Sequence, residues 1–107
     1  MSDLLRLIQT LVSSSEVRIS DHGYDELAAD GLLVAEVLRG VNAATIVEEY
    51  PDYWKGPCIL LLQRDAKGEG VHVLWGVPKG AMNPAVLVTA YRPDPGKWES
   101  DLLRRKK

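Results

Sequence analysis

Several things that would have announced a chemistry are missing from this chain. It has a single cysteine, Cys58, set in the apolar run Pro57-Cys58-Ile59-Leu60-Leu61-Leu62. One cysteine excludes an intramolecular disulfide, and its apolar setting reads as a buried thiol in a reducing cytoplasm. Its two histidines, His22 and His72, belong to no CxxC or HExxH spacing, so no metal site and no cofactor are expected. Gly68, Gly70, Gly76 and Gly80 fall in hairpin-like stretches, not between a strand and a helix, which excludes a phosphate-binding loop. No apolar run approaches the roughly 18 residues of a spanning helix. The opening Met-Ser-Asp-Leu-Leu-Arg-Leu-Ile has neither a basic leader nor a small-residue cleavage site, so the expectation is a cytoplasmic protein without a membrane partner.

An excess of one charge is also lacking. The formal net charge is −2, which makes no electrostatic case for nucleic acid. The distribution is less even: residues 97–107 carry five basic and two acidic side chains, leaving a net −5 on the first 96. The cluster Arg104-Arg105-Lys106-Lys107 is either a phosphate contact or a solvated, frayed terminus.

What is present suits one hydrophobic core. With 107 residues, the chain is read as a single domain, 1–107. It divides into an N-terminal helical extension (1–15), a core (16–99) and a basic tail (100–107). Leu4, Leu5, Ile8, Leu11 and Val12 make one apolar stripe at helical spacing, predicting a helix over 3–14. Val17-Arg18-Ile19 is a short extended piece. Ser20 or Asp21 caps a second helix over 21–30 that turns Tyr24, Leu27 and Ala28 inward, with Gly31 as its left-handed stop. A third helix, about 33–39, buries Val34, Val37 and Leu38.

Strands follow. Residues 44–50 are strand-like and end at Pro51. Residues 57–63 are apolar without alternation, as in a strand covered on both faces. Val71, Val73, Trp75 and Val77 alternate with His72, Leu74 and Gly76, and a last strand spans 85–92. The fold class is therefore α+β: two to three N-terminal helices packed on one face of an antiparallel sheet of about four strands.

These pieces form an ordered pattern. Ser20-x-His22-Gly23 opens a helix, and Ile46-Val47-Glu48-x-Tyr50-Pro51 follows. Then come Val71-His72-Val73, Val88-Thr89-x-Tyr91-Arg92-Pro93-Asp94 and Lys97-Trp98. Over residues 16–99 the pattern resembles the Domain of Unknown Function 4258 family, which is similar to the RelE-like toxins of the barnase/RelE-type ribonuclease superfamily. The resemblance implies a RelE-like fold and a toxin-like, metal-independent endoribonuclease, partnered by an antitoxin. It carries over His22, His72, Tyr91 and Arg92 as the catalytic set. One departure stands out: where family members often place arginines after the first histidine, this chain has Asp25, Glu26 and Asp30.

The residue types fit that chemistry to different degrees. Metal-free RNA cleavage needs a base for the 2′-hydroxyl, an acid for the leaving oxygen and a cation for the phosphorane charge. His22, in a first helical turn, is either that base or a helix-end decoration that Glu26 orients. His72 is either the complementary group in a groove or a core histidine satisfied by one hydrogen bond. Tyr91 and Arg92 point to opposite faces of a strand unless a bulge intervenes or the strand has ended. Arg92 is either a phosphate clamp or the partner of a carboxylate such as Glu48.

Lys97, Trp98, Arg104 and Arg105 form the candidate RNA-binding set, Trp98 and Trp54 being able to stack a base or cover a core edge. Tyr50, Tyr53 and Trp54 form an aromatic loop suited to docking a protein. The alternative function is accordingly a non-catalytic RelE-like protein-binding module. A homodimer through the leucine-crowded first helix is compatible with both.

Overall fold

The structure, a computed structural model, describes residues 2–107. Helix α1 spans Asp3–Ser13, and the Ser2 hydroxyl caps it by accepting from the Leu5 N–H at 3.1 Å. Its Leu5, Ile8 and Leu11 are buried, while Leu4, Leu7 and Val12 pack partly buried against the same core. Of the leucines that suggested a dimer surface, Leu5 is buried in this core and Leu4 and Leu7 are partly covered by it.

Strand β1 (Val17–Ile19) leads into α2 (Asp21–Ala29), followed by α3 (Val34–Gly40) and a 3-10 turn at Val41–Ala43. Strands β2 (Thr45–Tyr50), β3 (Cys58–Arg64), β4 (Gly70–Gly76) and β5 (Ala85–Tyr91) complete the order.

The sheet differs from the expected four antiparallel strands. It has five, in the order β1-β5-β4-β3-β2, and is mixed. The added strand is Val17-Arg18-Ile19, which pairs parallel with Ala85-Val86-Leu87. Its short ladder is extended at both ends, by the Ala85 N–H on the Glu16 carbonyl (2.9 Å) and the Ser20 N–H on the Leu87 carbonyl (3.0 Å). Three extended residues are too few to predict a sheet partner; the edge of β5 provides one.

Helix α2 is also rotated from its expected setting. Gly23 and Leu27, not Tyr24, face the sheet, and Tyr24 is 55% exposed. A Cβ on Gly23 would stand 2.9 Å from the Leu87 carbonyl oxygen, so this glycine lets the helix lie close on β5. Gly23 and Leu27, four apart, form the contact stripe and leave Tyr24 and Ala28, both expected to face inward, outside.

The sheet has two differently covered faces. The helices cover the face carrying Ile59, Leu61, Val71, Val73, Trp75, Leu87 and Ala90. Within it Gln63 ties three elements together: its Nε2 donates to the Val37 carbonyl (2.8 Å) and its Oε1 accepts from the Trp75 indole (3.0 Å). The opposite face carries Cys58, Leu60, Leu62 and His72, also buried. Residues 97–107 turn back over one end of it.

This segment is not frayed, as a run of terminal cations suggested. The Glu99 N–H donates to the Arg104 carbonyl (2.8 Å) and the Lys106 N–H to the Lys97 carbonyl (2.9 Å), closing a small hairpin. Trp98, 7% exposed, anchors it.

Candidate functional site

The face away from the helices forms a groove of about 790 Å³. Strand register orders this face in three rungs. In the middle Leu74 lies between Leu60 and Thr89, and at the far end Gly76 lies between Cys58 and Val86, all six lining the groove. At the near end His72 lies between Leu62 and Tyr91, and of these only Tyr91 reaches the groove. Arg18 extends the far rung, being paired with Val86.

The register of β4 with β5 shifts between Leu74 and Trp75, where Val88 is the extra residue. That bulge turns the consecutive side chains of Val88 and Thr89 toward the same groove. It also sets Tyr91 on the groove face beside His72.

His72 is completely buried at the head of the groove. Its Nε2 lies 2.7 Å from the Leu102 carbonyl oxygen and its Nδ1 lies 3.3 Å from the Tyr91 hydroxyl. A carbonyl can only accept, so the Leu102 contact places the ring hydrogen on Nε2. In the neutral ring Nδ1 is then an acceptor, and the Tyr91 O–H donates to it. Trp98 closes the ring from the side, edge-on at 4.4 Å between centroids.

Burial pushes the His72 pKa down, the Leu102 carbonyl pulls partly back, and the nearby Arg105 charge pushes down again. The outcome is below an ordinary histidine, so the imidazole is neutral at pH 7. Burial pushes the Tyr91 hydroxyl up, against a lowering by Arg105. The Tyr50 hydroxyl is pushed up by burial and by its hydrogen bond to Glu48 (3.0 Å). Burial likewise keeps the Cys58 thiol protonated.

The walls are cationic and aromatic. Arg18, Lys55 and Arg105 line the groove together with Tyr50, Tyr53, Trp54 and Tyr91; among the described residues no carboxylate does. Arg105 stands 4.9 Å from the Trp98 ring centroid and 3.7 Å from a Glu48 oxygen. Trp54 is 68% exposed, with the Lys55 ammonium 5.0 Å from its ring centroid.

The residues singled out in the sequence separate into two groups. His72, Tyr91, Trp98 and Arg105 meet at one end of the groove, and Tyr50, Tyr53 and Trp54 line it. His22 is elsewhere, exposed on α2 in the helical layer, with Nε2 3.7 Å from Glu26. The sheet lies between the two histidines. Arg92 follows the end of β5 and pairs with Asp65 (3.0 Å) and Glu69 (3.8 Å) of the β3–β4 hairpin, not with Glu48.

Asp65 is held below the usual carboxylate range first by the Glu69 N–H; burial pushes the other way, and Arg92 and the Lys67 N–H add to the lowering. Lys97 and Arg104 are exposed outside the groove, and Arg104 pairs with Asp101 at 3.0 Å. Trp98 covers His72 and offers no free face for a base.

Arg18, Lys55 and Thr89 are groove residues that sequence reasoning missed. Arg18 had a signal: between two apolar neighbours in an extended piece, it must face away from them. That signal becomes useful only once β1 is known to join the sheet.

No three histidine, cysteine, aspartate or glutamate side chains among the described residues cluster to hold a metal ion. No helix among them is long and apolar enough to cross a membrane. No curated protein and no solved structure matches the chain. A family model does match residues 19–92, from the end of β1 to just past β5, taking in His22, His72, Tyr91 and Arg92 but neither α1 nor the tail with Trp98 and Arg105. By a match over well more than half its length, the chain belongs to the DUF4258 family, a domain of unknown function.

Proposed function

We propose that the groove binds RNA and that its Tyr91–His72 end cleaves the backbone without a metal, making the protein a RelE-like, toxin-type endoribonuclease of the cytoplasm with an antitoxin as its protein partner. The observation that carries this reading is the hydrogen bond from the Tyr91 hydroxyl to a neutral, buried His72 at the head of a cationic groove.

Tyr91 alone is a poor base, since its raised pKa opposes ionisation. Coupled to His72 it can relay a proton. The tyrosine oxygen takes the proton of the attacking 2′-hydroxyl as its own hydrogen passes to His72 Nδ1. The 2′-oxygen bonds to phosphorus, the bond to the 5′-oxygen breaks, and the leaving oxygen takes a proton from water in the open groove. A 2′,3′-cyclic phosphate remains, and the imidazolium, held through Nε2 by the Leu102 carbonyl, returns its proton to solvent. Arg105 supplies the cation for the phosphorane charge. His22 has no part in this reading, and Arg92 braces the β3–β4 hairpin.

The test is cleavage of a labelled RNA, with the product ends identified. Tyr91→Phe, which keeps the ring, is expected to lower the rate about a hundredfold or more, and His22→Ala to leave it unchanged. A Tyr91→Phe protein that cleaves at the wild-type rate, or a wild-type protein that leaves RNA intact, overturns the proposal.

A second reading, the non-catalytic protein-binding module, draws on the exposure of Tyr53 and Trp54 beside the groove. It is selected if wild-type protein leaves RNA intact while Tyr53→Ala and Trp54→Ala abolish binding of a purified antitoxin-type partner.

A further inference from the structure

We infer that the far end of the groove is a slot for one unpaired nucleobase, so that the RNA of the proposed reaction is single-stranded and is gripped at a distance from the bond that breaks. The inference rests on the RNA reading above but on different residues.

The floor of this end is the rung Val86–Gly76–Cys58. Gly76 sends no side chain into the groove, and its neighbours Val86 (9% exposed) and Cys58 (7%) are low and apolar. A flat apolar floor accepts a planar ring and gives a branched or charged group nothing to pair with. Burial keeps the Cys58 thiol neutral, which preserves the apolar character.

Tyr53 and Trp54 line the groove from the loop that leads into Cys58 and are 49% and 68% exposed. Exposed aromatic faces beside a cationic groove are how single strands are held: bases stack on the rings while the backbone follows the charges. The cations are in place, Lys55 over Trp54 and Arg18 in register with Val86 at the edge of the floor.

The spacing sets the length of strand gripped. From His72 to Gly76 along β4 is four residues, a span of about 13 Å that roughly two to four nucleotides cross. A duplex keeps its bases stacked inside and presents only backbone and groove edges, so it cannot place a base flat on this floor.

The experiment measures equilibrium binding of a short RNA with 2′-O-methyl groups, which lacks the attacking hydroxyl and stays intact. It is compared with the same oligonucleotide carrying an abasic site at each position in turn, and with its duplex. Wild-type protein is expected to prefer the single strand and to lose about tenfold or more in affinity for one abasic position. Trp54→Ala is expected to weaken binding by a similar factor and to become insensitive to that abasic site. Arg18→Ala is expected to weaken all the oligonucleotides alike and to flatten the salt dependence. Trp54 is exposed, so its removal leaves the core intact.

The slot is overturned if Trp54→Ala binds as tightly as wild type, if no abasic position matters, or if the duplex binds as well as the single strand. Wild-type protein that binds none of the oligonucleotides overturns the slot and the ribonuclease reading together. Trp54-dependent binding with no cleavage of unmodified RNA upholds the slot and removes only the cleavage.

Discussion

The two faces of the sheet are built from the same strands and are covered in opposite ways. On one, three helices seal a continuous apolar layer, and its polar groups Gln63 and the Trp75 indole satisfy each other and a carbonyl of α3. On the other, only the tail 97–107 returns, and it covers His72 while leaving the rest as a groove. The closed face needs no particular chemistry, only volume and hydrogen-bond closure. The half-closed face holds a tyrosine and three cations where ligand can reach, the tyrosine backed by a buried, neutral histidine, which is why function is sought there.

The largest expected effect breaks the closed face. Trp75→Ala leaves a cavity in the core and strands the Gln63 oxygen without a donor. A loss of about 3–5 kcal/mol is expected in chemical denaturation. A loss under ~1 kcal/mol would mean that the helix-covered face is not the main source of stability.

Trp98→Ala sharpens the contrast, because Trp98 belongs to the partial cover. Its truncation is expected to cost less, about 2–3 kcal/mol, but to admit water to His72. Since burial is the main cause of the depressed His72 pKa, the variant's pKa should move back up toward the ordinary value. Histidine NMR titration reads this directly; an unchanged His72 pKa would show that the tail does not control the site.

The smallest effect is a pH dependence that only the groove face produces. His72 has a lower pKa folded than unfolded, so the unfolded chain takes up its proton first as pH falls. Stability is therefore full above the ordinary histidine pKa near 6.5 and declines as pH falls through it toward the depressed folded value, by at most about 1.4 kcal/mol per pH unit for this one proton. Denaturation between pH 7.5 and 5 should show the slope, and His72→Gln should lose that part of it. Equal slopes in the two proteins would contradict the neutral, buried imidazole.

Much of this architecture was legible. The stripe of Leu5, Ile8 and Leu11 marks α1, and Ser20 with Gly31 bounds α2. The unbroken apolar run of β3 announces cover on both faces. The alternation in β4 already separates His72 from Val71, Val73 and Trp75. The pairing of three-residue β1 with β5 was not legible, because the bonds that define it join residues far apart in sequence. Nor was the packing angle of α2, which depends on how closely Gly23 approaches Leu87.

The candidate site was legible in its residues and not in its arrangement. His72, Tyr91, Trp98, Arg105 and Trp54 all carried a signal of type or spacing. Which of them meet depended on a bulge at Val88 and on the tail turning back over His72, and neither has a local signature. Arg92, a plausible clamp by residue type, is instead consumed by Asp65 and Glu69, carboxylates that the hairpin brings to it.

Local patterning alone therefore determined the element order, the α+β class and, in the unbulged β4, which side chains share a face, since periodicity and capping act within a few residues. Tertiary structure decided which of those faces the helices would cover, and so which histidine would be buried, neutral and paired with a tyrosine. Burial and long-range hydrogen bonds exist only between elements, and they are what turn a side chain that can carry a proton into one placed to do so.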